Sequence, residues 1–245
     1  MTAKGTYRNH QHYIDQGWSP KPKEMFRILG DILQTMLPNS SPQILDVGCA
    51  TGELLGHLST RLDGGTFFGV DVEPTLIATA RKLLPQAHFA VASALDLPSD
   101  FHGKFDAVCS VGCMSIFDET QIDAYWKNLL DAVRPGGIAI ALSPLNEYGI
   151  DAMIRHRKRI DGHPNPWETG WNIFSVETIR ETIEGLDAEV SFRRFEIPFS
   201  LPQQSDPVRT WTMATEAKER QLTNGIKLLV DHYFMVARPR PKKLN

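Results

Sequence analysis

Between residues 40 and 143, apolar runs of strand length alternate with segments of helical period, and this alternation restricts the fold more than any other property of the chain. Gln43 to Val47 reads as a first strand. Leu54, Leu55, Leu58 and Leu62 then fall at helical spacing until Gly64-Gly65 stops them. "TFFGVDV" is a second strand, and Pro74 opens a helix at a favoured first-turn position, with Leu76, Ile77, Ala80 and Leu83 on one face. "AHFAVAS" and "FDAVCSV" supply strands three and four. Asp118 and Gln121 resemble a capping box ahead of Ile122, Tyr125, Trp126, Leu129, Leu130 and Val133, the clearest helical face in the chain. "RPGG" turns the chain, and "IAIALS" is a fifth strand, apolar throughout as strands covered on both faces are. The pattern predicts an α/β fold with a doubly wound parallel sheet, helices on both faces and a ligand at the carboxyl ends of the strands.

Outside this stretch the signal weakens. Residues 1–40 hold a polar arm and a helix through Met25, Ile28, Leu29, Ile32, Leu33 and Met36, which Pro38 closes. Beyond Ser143 the segment to residue 172 reads as an insertion with one short helix. Ser175 caps and Gly185 stops a compact helix, and "AEVSFRRFEI" and "HYFMVAR" are two late strands. Residues 198–229 contain the turn signal Asn224-Gly225, whose flanks fit strand or helix equally. At 245 residues a single domain over 1–245 is sufficient.

Composition removes several classes of function. The net charge of −3 gives no long-range attraction to nucleic acid. Cys49, Cys109 and Cys113 are too few and odd in number for a disulfide framework, and with the available histidines they form no zinc spacing, so no metal is expected. No apolar run approaches the roughly 18 to 20 residues that cross a bilayer, and "MTAKGTYRNHQHYIDQGW" lacks the apolar centre of a signal peptide. A cytoplasmic protein without a membrane partner is expected.

The loop after the first strand, in "ILDVGCATGELLGHL", carries the chemistry. A dinucleotide loop has G-x-G-x-x-G, and this chain offers Gly48, then Ala50, then Glu53, whose carboxylate would face a diphosphate. The Gly-Lys-Ser/Thr ending of a phosphate loop is absent. A ligand without phosphate fits better, and Asp46 suits one that carries an ammonium group.

"LDVGCATG" resembles the first motif of class I S-adenosylmethionine-dependent methyltransferases, with Asp46, Gly48, Ala50 and Gly52 in its acid and three glycine positions. The resemblance continues through "GVDVEP", "ASALDLP", "FDAVCSV" and "LLDAVRPGG" over residues 42–142. It implies a Rossmann-like, seven-stranded, mostly parallel sheet of order 3-2-1-4-5-7-6, S-adenosylmethionine as cofactor, and methyl transfer. The backbone of Gly48, Cys49 and Ala50 would contact the methionine moiety, and Gly52 would let the helix approach closely. Asp71, beside Val72, would bind both ribose hydroxyls. Ser93, where the family commonly has Asp, would read the adenine with Ala94 and Leu95; Asp96 takes that polar role if the register shifts. Ser110 and Val111 would flank the methyl group. The Asn-Pro-Pro-Tyr type signature is missing from 110–113, and Cys113 reads as apolar packing in preference to a nucleophile.

In-line displacement needs alignment first, and a base only where the acceptor must lose a proton. His163 in "DGHPNPW" and His156 are the catalytic candidates, with Asp118 and Glu147 nearby in sequence to the same roof. Arg155, Arg157, Lys158 and Arg159 form either a solvated helix or a hold on an acidic group. Tyr7, Tyr13, Trp18, Trp167, Trp171, Phe174 and Trp211 lie in the arm and insertions, where they suit an enclosed apolar or planar acceptor. The expectation is therefore a small-molecule acceptor with an acidic or aromatic group. Oxygen is slightly preferred over nitrogen or carbon, and the insertions 144–174 and 198–229 lie on the acceptor side. RNA or protein methylation rests on the basic run alone; a non-catalytic binder of the same cofactor and a nicotinamide oxidoreductase are the other readings.

Overall fold

A computed structural model describes residues 10–241 apart from 38–40, 161–162, 165, 204–207, 218–219, 225 and 227. Tyr7 and Pro38 lie outside the described residues. The helices are α1 (Gln11–Gln16), α2 (Glu24–Met36), α3 (Glu53–Ser59), α4 (Pro74–Leu83), α5 (Ile122–Ala132) and α6 (Val176–Gly185). The main strands are β1 (Gln43–Val47), β2 (Thr66–Asp71), β3 (His88–Val91), β4 (Phe105–Val111), β5 (Val133–Asn146), β6 (Ala188–Arg194) and β7 (Asp231–Pro239). They lie in the order β3-β2-β1-β4-β5-β7-β6, parallel from β3 to β5, with β7 antiparallel to both of its neighbours. A two-residue strand, Phe174–Ser175, runs parallel to the end of β5 at Leu145 and Asn146.

Each face of the sheet has its own apolar layer. Leu29 and Leu33 of α2, Leu55 and Leu58 of α3 and Ile77 of α4 pack with Ile44, Ile138, Ile140 and Leu142 on one side. Tyr125, Trp126 and Leu129 of α5 and Ile179 and Ile183 of α6 pack with Leu45, Val108, Ala139 and Ala141 on the other. Strand period two explains the split: along β5 the large residues face the first layer, and the alanines face the layer that holds the two large rings of α5.

Local rules set the element ends. Pro74 stands at the first turn of α4, and Ser175 Oγ accepts the Thr178 N–H at 3.1 Å to cap α6. Half of the capping box before α5 forms: Gln121 Oε1 accepts the Asp118 N–H at 3.3 Å, while the Asp118 carboxylate turns to the Thr120 N–H at 3.0 Å. The "RPGG" stretch is structural, but it lies within the first residues of β5 and is not a turn ahead of that strand. A Cβ on Gly137 would stand 2.6 Å from Asp106 O, and Arg134 pairs with the buried Asp106, which also accepts the Gln43 N–H.

The insertions differ from the sequence reading. The described part of 144–172 contains no helix. Arg155–His156 pairs with Glu168–Thr169 and Arg159–Ile160 with His163–Pro164, both antiparallel. Ile150, Met153 and Ile154 offer one apolar turn, but Arg157 and Lys158 stand at the next helical positions and do not continue it. In 198–229, Trp211–Ala214 pairs antiparallel with Arg220–Thr223. Asn224 follows that pair, and its Oδ1 accepts the Ile226 N–H at 3.0 Å; Gly225 lies outside the described residues.

Candidate active site

The turn leaving β1 is built from three left-handed residues at alternate positions, Gly48 (φ 78°), Ala50 (φ 47°) and Gly52 (φ 81°). The N–H groups of Gly48 and Cys49 donate to Val70 O at 2.8 and 3.0 Å, tying the turn to the end of β2. Space is as limiting as conformation. A Cβ on Gly48 would lie 3.1 Å from the Cys113 side chain, and one on Gly52 would lie 3.0 Å from the Phe89 ring. Ala50 holds the same conformation with a methyl group, which costs an L-residue about 1–2 kcal/mol. Ala50→Gly is expected to raise stability by up to about 1 kcal/mol, because glycine's larger backbone entropy offsets part of the relief. A higher urea midpoint with an unchanged slope would show it.

Asp71 at the end of β2 fixes this turn. Its Oδ2 accepts the Ala50 N–H and its Oδ1 the Glu73 N–H, both at 3.0 Å. Burial raises its pKa, and the backbone hydrogen bonds oppose that rise. Asp46, 3% exposed, is pushed up to about 8 by burial first and by the charge of Asp71 second. Among the described residues, no Lys or Arg pairs with either acid. Two acids without a cation beside one turn favour a positively charged ligand and repel a diphosphate. Glu53 takes no part in that repulsion, against the sequence reading. Its carboxylate accepts the Ser19 N–H at 3.0 Å and pairs with Lys23.

The neighbouring loops complete the rim. Ala92 N–H donates to Asp71 O at 3.1 Å, and Ser93 Oγ accepts the Leu95 N–H at 3.1 Å in a tight turn that buries Ala94 and exposes Asp96. Val72 is exposed beside Asp71, and Val111 is half-buried at the end of β4. Ser110 is buried, and its hydroxyl donates to Val47 O at 3.0 Å, tying β4 to β1. Burial pushes the Cys113 thiol up to about 12, so it holds no thiolate at neutral pH and packs against Gly48 as a small apolar group.

The insertion that carries the histidines roots on this rim through Asn172. Its N–H donates to Ser115 O at 2.9 Å, its Nδ2 to Phe117 O at 2.8 Å, and its Oδ1 accepts the Ile154 N–H at 2.8 Å. Asn172 is fully buried, and nothing local in the sequence marks it. His156 Nε2 stands 3.9 Å from Glu168 Oε2. His163 pairs through its backbone with Ile160, and its side chain lies outside the described residues. Arg155 and Arg157 place their guanidinium carbons 5.8 and 5.0 Å from the centre of the Trp167 ring, in place of spreading around a helix.

A sheet of this order is Rossmann-like, with its ligand crevice at the carboxyl ends of the strands, and the two acids beside the left-handed turn suit a cationic ligand. Residues 44–137 match the family model described as a methyltransferase domain. The chain is 29% identical over 132 residues to a probable fatty acid methyltransferase of Pseudomonas putida, a match covering 51% of this chain and 30% of that protein. It is 22% identical over 262 residues to trans-aconitate 2-methyltransferase of Pseudomonas aeruginosa, covering 90% and 88%. The structure is similar to that of an S-adenosylmethionine-dependent methyltransferase of Methanosarcina mazei, with TM-score 0.61 and 15% identity over 86% of this chain and 98% of that one. Residues 44–137 are thus a methyltransferase domain, and the fold around them is that of the class I S-adenosylmethionine-dependent methyltransferases. The acid pair at Asp46 and Asp71 fits the sulfonium and ammonium charges of that family's cofactor.

Proposed function

We propose that the protein is an active methyltransferase that moves the methyl group of S-adenosylmethionine to a small acidic acceptor, with oxygen slightly preferred over nitrogen or carbon. The observation that carries this reading is the pair of uncompensated acids beside the Gly48–Gly52 turn. When bound, the cofactor supplies a methyl group on a sulfonium, open to in-line displacement. Asp71 keeps acceptor capacity for the ribose hydroxyls beyond its bonds to the Ala50 and Glu73 N–H groups, since a carboxylate offers about four lone-pair sites. Asp46 holds the ammonium, the backbone of Gly48, Cys49 and Ala50 lines the methionine moiety, and the Ser93–Leu95 turn lies against the adenine. Ser110 and Val111 border the reacting centre.

The acceptor side is assigned to 144–174 and 198–229. The relatives named above are a probable fatty acid methyltransferase and a trans-aconitate 2-methyltransferase, and both names specify carboxylic acids. A guanidinium stacked on an aromatic face keeps its N–H edge for a carboxylate, and Arg155 and Arg157 stand in that relation to Trp167. A carboxylate has already lost its proton at neutral pH, so its methylation requires no base; a hydroxyl acceptor would call on His156 or His163. Calorimetry with S-adenosylmethionine against NAD tests the central claim, and absence of heat with the sulfonium ligand would sink it. With labelled cofactor, transfer is expected onto members of a panel of small carboxylic acids and not onto RNA or protein. The opposite distribution would reverse the acceptor class.

A further inference from the structure

We infer that Trp18 is a positioning residue for the cofactor turn, carried by residues 10–23 as a strap across α3. The inference rests on the reading that the Gly48–Gly52 turn binds S-adenosylmethionine. Trp18 Nε1–H is shared between the carbonyl and hydroxyl oxygens of Thr51, both at 3.2 Å. Thr51 is buried between the two left-handed residues Ala50 and Gly52. The benzo ring of Trp18 lies on Gly56 of α3, so close that a Cβ there would stand 2.4 Å from Cζ3 and 2.6 Å from Cη2. Lack of a side chain at Gly56 makes this seat, in the interior of a helix where glycine is otherwise a poor choice.

Three further contacts bring the strap to Glu53, at the end of the turn, and to Glu73, two residues after Asp71. Glu53 takes the Ser19 N–H and the Lys23 ammonium. Glu73, whose N–H is held by Asp71, lies 3.9 Å from His10 Nδ1. Tyr13 faces Arg209 at 5.4 Å, which joins the strap to the second insertion. A cavity of about 340 Å³ remains between strap and helix, lined by Trp18, Pro20, Pro22, Phe26, Glu53 and His57. The strap is thus held at points and not packed along its length, and Trp18 is the point that bonds the turn itself. Seating Trp18 orders Thr51 before the ligand arrives, so that less ordering is left to the binding step.

Binding of S-adenosylmethionine to the full chain tests this, with thermal midpoints recorded in parallel. Gly56→Ala removes the seat, so a merely structural contact predicts at most a lower midpoint, with unchanged affinity. The latch predicts about tenfold weaker binding in Gly56→Ala and in Trp18→Ala, whatever the change in midpoint. Trp18→Phe keeps an aromatic ring and loses the bond to Thr51, and its affinity should fall between those of Trp18→Ala and the wild type. Wild-type affinity in Gly56→Ala and Trp18→Ala overturns the latch alone. A wild-type chain that fails to bind the cofactor overturns the functional reading on which it rests.

Discussion

Binding of S-adenosylmethionine is expected to tighten about twentyfold between pH 6 and pH 7.5. Burial, and then the neighbouring charge of Asp71, push Asp46 up to about 8, so in the ligand-free protein its carboxyl is largely protonated at neutral pH. A cationic ligand favours the ionised form, and the proton must leave on binding. Below the pKa that requirement costs about 1.36 kcal/mol for each pH unit. The comparison stops at pH 7.5 because a ligand α-ammonium, with an ordinary pKa of about 7.7–8.0, itself titrates above that. Calorimetry at pH 6.5 in buffers of different ionisation enthalpy should find close to one proton released for each ligand bound. A flat affinity would show that Asp46 does not face the ligand's charge. Asp46→Asn should abolish the dependence and weaken binding at pH 7.5. The ligand-free protein should show the converse trend. The folded-state pKa lies above the ordinary 3.8, so between those values the folded chain keeps a proton that the unfolded chain has released. The contribution is complete below pH 3.8 and is lost as pH rises through about 8. The thermal midpoint of the wild type should therefore fall over that window, and Asp46→Asn should flatten the fall.

What the sequence disclosed about this protein followed the range of the rule that disclosed it. Strand and helix alternation over 40–143, Pro74 at the start of α4 and Ser175 at the start of α6 depend on neighbours within a few residues, and all appear in the structure. The strand order entered with the family resemblance, because parallel pairing joins residues far apart in the chain. The insertions escaped for the same reason. Arg155 finds its partner at Thr169 across a segment with no period, and two-residue strands are too short to alternate visibly. The candidate site divides likewise. Asp46, Gly48, Gly52 and Asp71 stand in a contiguous motif or at a strand end, whereas the direction of Glu53 is set by Lys23 and Ser19, some thirty positions upstream. Trp18 and Asn172 have no local signature; each acquires its contacts to the rim only when the chain has folded.

Replacing Asp71 by alanine is expected to weaken cofactor binding by about 1–3 kcal/mol, the cost of losing hydrogen bonds from a charged acceptor. Two routes lead to that loss. Directly, the ribose hydroxyls lose their acceptor. Indirectly, the N–H groups of Ala50 and Glu73 lose theirs, and the left-handed Ala50 loses the bond that holds it. The indirect route also lowers the stability of the ligand-free protein, by about 1–2 kcal/mol for two partly buried donors left without partners. Asp71→Asn separates the routes in part, since its single carbonyl oxygen can keep one of the two backbone bonds. An analogue of the cofactor lacking the ribose 2′-hydroxyl separates them fully. If Asp71 binds the diol, the wild type should discriminate against the analogue and Asp71→Ala should bind both forms alike. If Asp71 acts only by holding the turn, the penalty for the missing hydroxyl survives in the variant, and the ribose is held by another group on the rim.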